Sequence, residues 1–174
     1  TQWNLKPLSG PQTVTYEKGK KGEYQVVVAY EAPGADTTDD RVLTLLDALV
    51  SNKIPTLLKG KFSKDPSSIV AGWRQQWGPS WFRFAAVLIA DELDVAERAL
   101  LECVDALKNE GFTREDLDRA KNDITQSVLL YCGNSPYHSS WWYPAPFRPF
   151  YDVKLEHVDK FNDIQNLTMD DVTK

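Results

Sequence analysis

The clearest signal along the chain is a change in the period of its apolar residues. Over residues 81–90 they alternate: Phe82, Phe84, Ala86 and Leu88 share one side of an extended chain, while Trp81, Arg83, Ala85 and Val87 share the other. Residues 69–75 predict a second strand, and Gly78-Pro79 a turn that joins the two as an antiparallel pair. Residues 24–30 predict a third, whose unbroken Val26, Val27 and Val28 suggest burial on both faces. A weaker alternation at Thr13 to Glu17 reads as an edge strand, with residues 18–22 as its turn and residues 1–10 as an irregular lead-in.

Elsewhere the period lengthens to that of a helix. Pro33 and Gly34 end the third strand, and Asp36, Thr37, Thr38 and Asp39 offer helix caps. Val42, Leu45, Leu46 and Leu49 then form the stripe of an amphipathic helix over residues 39–51. A separate short helix is expected over 54–62, with Leu57 and Leu58 inward. A longer one over 94–109 carries Ala96, Leu100, Cys103, Val104 and Leu107, and Gly111 marks its end. Thr113 caps the next helix, with Glu115 and Asp116 where the helix dipole favours acids. Its stripe is Leu117, Ala120, Ile124, Val128 and Tyr131. Residues 133–149 are a loop rich in Pro, Ser and aromatics, too long for a simple connector. A short helix is expected near 158–164, and Thr168 reads as the cap of another.

This order predicts an α+β two-layer sandwich, with helices on one face of a largely antiparallel sheet. The 174 residues suit a single domain: lead-in 1–11, core 12–132, aromatic loop 133–150 and C-terminal segment 151–174. With 42% apolar and 26% charged residues, the chain can bury a core without a covalent or metal staple. Its net charge of −5 comes from interleaved acids and bases, which argues against a nucleic-acid partner. The one dense basic cluster, Lys18, Lys20 and Lys21, reads as a solvated hairpin tip. No apolar run approaches the ~20 residues of a membrane span.

Candidate chemistry is sparse. Cys103 and Cys132 fall in apolar helical surroundings and read as buried thiols, with a disulfide between them left open. The two histidines are His138 and His157. A catalytic zinc site usually takes three protein ligands, often two of them His one turn apart. The inverted zinc-peptidase pattern His-x-x-Glu-His is approached only at Val153-Lys154-Leu155-Glu156-His157, where Val153 stands in the first ligand position and cannot coordinate. His138 adjoins Ser139 and Ser140, but sequence neighbours rarely converge as nucleophile and base. The acidic pairs Asp39-Asp40 and Asp170-Asp171 read as helix starts, and Gly19 and Gly22 lack the strand-to-helix setting of a phosphate loop. No catalytic, cofactor-binding or metal-binding set emerges. The six Trp include Trp77, Trp141 and Trp142 in Gly-Pro-rich or Ser-rich segments. Trp141, Trp142, Tyr143, Phe147 and Phe150 are therefore the candidates for a partner or substrate face.

Five stretches, in order, resemble one known family. Residues 25–40, QVVVAYEAPGADTTDD, look like the opening strand and acidic connector of its domain, and residues 42–50 like its first long helix. Residues 56–72, TLLKGKFSKDPSSIVAG, are similar to its Leu-rich helical turn, basic segment and following strand. Residues 93–124 carry the most specific stretch, LKNEGFTREDLDRAKNDI, and IQNLTMDDV at 164–172 resembles a cap near the domain's end. The family is the pitrilysin (insulinase) zinc peptidases, which include the mitochondrial processing peptidases, and the match is to their inactive, C-terminal type of domain.

The resemblance implies the two-layer fold just described and a chain that is not an enzyme by itself. It implies a piece of a longer zinc metallopeptidase, since the family continues with a helix and a strand. Zinc would belong to a separate catalytic domain, this chain's partner, and the two would enclose a peptide substrate. The bacterial periplasm or cell envelope is the compartment implied. Two departures stand out: the aromatic loop is not usual for the family, and Ser67-Ser68-Ile69-Val70 stands where some members carry an Arg and a Tyr that grip substrate. Two other classes fit the residues alone, a stand-alone interaction or scaffold module of the same fold, and a module that binds ligand through the Trp-rich loop.

Overall fold

The computed structural model describes residues 10, 24–33, 39–74, 80–89, 91–134 and 156–172. Among these, three strands form an antiparallel sheet in the order β1-β3-β2: β1 is Tyr24–Ala32, β2 is Ser68–Arg74 and β3 is Ser80–Leu88. The strand with the cleanest alternation is the central one. Phe82, Phe84, Ala86 and Leu88 of β3 are buried with Ala71 and Trp73 of β2. Tyr24, Val26, Val28 and Ala32 of β1 pack against the same cluster. The antiparallel pairing of β2 with β3 matches the expectation; its Gly78-Pro79 turn lies outside the described residues, as do the hairpin tip and the strand read at Thr13 to Glu17.

Helices cover that side of the sheet. Helix α1 (Asp40–Leu58) packs along β2, and α2 (Leu93–Glu110) lies on β1 and β3. Val50, Ile54 and Leu58 from α1 meet Ala96, Ala99, Leu100, Cys103, Val104 and Leu107 from α2 in one cluster with the sheet. Helix α3 (Arg114–Asn134) closes a second cluster, in which Leu117 and Ala120 pack on Leu45 and Leu49. Ile164 from α4 (Glu156–Asn166) completes it, and the short α5 (Met169–Val172) adds Met169 and Val172 at its margin. The result is the α+β two-layer arrangement the sequence predicts.

The ends of the helices follow from local chemistry. Gly111 takes φ +66°, a conformation that a Cβ disfavours, and its N–H reaches Leu107 O at 3.1 Å to end α2. Thr113 and Asp116 then make a reciprocal capping pair at the start of α3. The Asp116 N–H donates to Thr113 Oγ1 at 3.1 Å, and the Thr113 N–H donates to Asp116 Oδ2 at 2.8 Å. Before α5 the Thr168 N–H and hydroxyl both donate to Asp171 Oδ2, at 2.8 and 2.6 Å, while the Asp171 N–H donates to the Thr168 carbonyl.

Two expectations are corrected. The separate helix read over 54–62 does not exist: α1 is continuous from Asp40 to Leu58. Pro55 lies inside it and has no N–H to give the carbonyl one turn back. Val50, Ile54 and Leu58, buried at four-residue spacing, carry the helix through that gap. Nor is β1 buried on both faces. Its residues alternate between half-buried and exposed, and Val27 is 48% exposed. The helices cover one face of the sheet, so only every second residue of the valine run reaches the core.

Candidate functional site

The register of the sheet defines its other face row by row. Gln25 stands opposite Val87, which stands opposite Ser68; Val27, Ala85 and Val70 make the next row. Ala29, Arg83 and Gly72 follow, then Glu31, Trp81 and Arg74. None of Val27, Val70, Ala85 or Val87 belongs to either core cluster. Val27 is 48% exposed, and Ile89, just past the end of β3, is 53% exposed. Ala85, small and flanked by two valines, is buried in the middle of the face. This surface mixes β-branched side chains with an indole, a guanidinium and a carboxylate. Such a surface can bind by apolar contact.

One position fixes how α1 meets the edge of the sheet. Gly72, opposite Arg83, takes φ +153°, and a Cβ there would lie 2.3 Å from Asp47 Oδ1. The Ser51 hydroxyl donates to the neighbouring Ala71 carbonyl at 3.0 Å. Two lysines brace the helical layer behind. Lys53 Nζ donates to Gly111 O at 2.7 Å, lies 3.8 Å from Asp116 Oδ2 and sits over the Phe112 ring. Lys121 Nζ donates to the carbonyls of Gln165 and Leu167, at 2.8 and 2.6 Å, tying α3 to the end of α4.

Among the described residues, the shifted titratable groups have local causes. The Thr113 backbone N–H holds the Asp116 carboxyl below the usual carboxylate range, with the Thr113 hydroxyl and Lys53 adding to the effect. Hydrogen bonding by Lys61 lowers Glu102. Burial pushes the Cys103 thiol up to about 11, which keeps it protonated and unreactive at neutral pH. Burial, then the charge of Asp105, raises Tyr30, whose ring lies under Lys108. Cys103 is a free thiol. Among the described residues no group of three or more His, Cys, Asp and Glu is placed to hold a metal ion, and no helix is long and apolar enough to cross a membrane.

The aromatic candidates from the sequence, Trp141, Trp142, Tyr143, Phe147 and Phe150, lie outside the described residues, as do His138 and Val153. His157 falls in the first turn of α4. The outer sheet face was half visible in the sequence. Trp81, Arg83, Ala85 and Val87 were grouped by alternation, but nothing in that pattern says which side the helices leave open.

A sheet backed on one side by the described helices is an α+β two-layer domain, and the comparisons with known proteins make the class specific. A family model described as the peptidase M16 inactive domain matches residues 4–124, and the chain belongs to that family. Solved structures share the fold. The inactive peptidase domain of a candidate zinc protease from Bordetella parapertussis is 20% identical with a TM-score of 0.70, the match covering 87% of this chain and 83% of that one. A protease from Helicobacter pylori is 18% identical with a TM-score of 0.71, over 87% of this chain and 37% of that one. The periplasmic protease PqqL from Escherichia coli is 11% identical with a TM-score of 0.65, over 89% of this chain and 17% of that one. No curated protein matches the chain significantly.

Proposed function

We propose that this chain is the non-catalytic half of a zinc metallopeptidase of the M16 type, and that it helps enclose a peptide substrate against a separate catalytic domain. The observation that carries this reading is the outer sheet face. A domain of an inactive-peptidase family has one side of its sheet covered by the described helices, while the other presents exposed Val27 and Ile89 with half-buried Val70, Val87 and Trp81, beside Glu31 and Arg83. Exposed apolar surface rimmed by polar groups is the usual mark of an interaction site. The zinc and its His-x-x-Glu-His ligands belong to the partner; this chain offers shape and contact. Trp141, Trp142, Tyr143, Phe147 and Phe150 are proposed as further contacts with the partner or substrate. The parent is a longer peptidase, of which residues 1–174 form one domain. The periplasmic relative supports a setting in the bacterial periplasm or envelope.

The test is reconstitution. The chain is mixed with an M16 catalytic domain from the same source that carries His-x-x-Glu-His, and peptide hydrolysis and binding are measured together. Rescue or enhancement of hydrolysis is expected. It should weaken when Val27→Asp is combined with Ile89→Asp, or Trp141→Ala with Trp142→Ala, in variants whose circular dichroism matches the parent. A catalytic domain that is fully active alone and shows no binding at micromolar concentration would end the proposal and favour a scaffold role.

A further inference from the structure

We draw no further inference here: the strongest candidate beyond the outer sheet face, the surface patch where the Tyr30 ring lies under Lys108 beside Asp105 at the contact of β1 with α2, is a self-contained set of side chains, and nothing in the structure shows what ligand or partner would cover it.

Discussion

Replacing Gly72 by Ala tests the contact between α1 and the sheet, because two distinct effects meet there. The first is backbone strain. At φ +153° a residue with a Cβ occupies a sparsely populated conformation, which costs roughly 1–3 kcal/mol. The second is steric. The new methyl would stand 2.3 Å from Asp47 Oδ1 and 3.0 Å from its Cγ, so the carboxylate must turn away. Asp47 has two rotatable bonds with which to move, which puts the steric part near the lower end of the ~1–3 kcal/mol typical of overpacking. Together the change should destabilise the chain by about 2–4 kcal/mol. Urea denaturation of the parent, Gly72→Ala, Asp47→Ala and the double variant separates the parts. Removing the Asp47 carboxylate should recover about 1 kcal/mol of the loss and leave the backbone part behind. A Gly72→Ala variant within about 0.5 kcal/mol of the parent would refute the close approach itself. A loss unchanged in the Asp47→Ala background would remove the steric half of the reasoning and keep only the strain.

The remaining expectations concern the core, the cap and the metal. Leu100, fully buried, and Leu117, 6% exposed, should each lose roughly 2–5 kcal/mol on truncation to Ala; denaturant midpoints showing under about 1 kcal/mol at both would contradict the packing described. Asp116 is depressed in the folded state, so its contribution is present above its unfolded value near ~4 and is lost as pH falls through the folded one. The stability gap between parent and Asp116→Asn should therefore be widest near neutral pH and narrow as the pH falls below the ordinary carboxylate range; a gap that stays constant would mean the charge plays no part. The purified chain should hold no stoichiometric zinc and cleave no peptide, because Val153 stands where a first His ligand would be. Elemental analysis finding a tightly bound zinc that is lost in His157→Ala would overturn this.

Much of the fold was legible because local and global preferences agree. The stripe Ala96, Leu100, Cys103, Val104 and Leu107 is the buried side of α2, with Gly111 at its end, and Thr113 caps α3 as its spacing from Asp116 suggests. Two features were not legible. Pro55 and its polar neighbours Ser51, Asn52 and Lys53 read locally as a break, but α1 is held together by tertiary contacts with β2 and α2. In β1, three consecutive valines look alike in sequence. Only the tertiary arrangement, with the described helices on one side, assigns Val26 and Val28 to the core and Val27 to the surface.

The same asymmetry explains why the candidate site was harder to read than the core. A core position is specified by its own periodicity, since an apolar residue every second place on β3 must turn inward together. A binding face made from the alternate positions has no period of its own beyond that parity. Its identity depends on which side remains uncovered and on what else the rows place side by side. Trp81 beside Glu31, and Val27 beside Ala85 and Val70, are neighbours only through the pairing of strands more than forty residues apart in the case of β1 and β3. On a sheet face that met only water, charged or small polar residues would serve at Val27, Val70, Val87 and Ile89, and would guard against adhesion. β-branched side chains stand at all four places, beside a buried Ala85 and an indole, which is the pattern that the proposed contact with a partner would use.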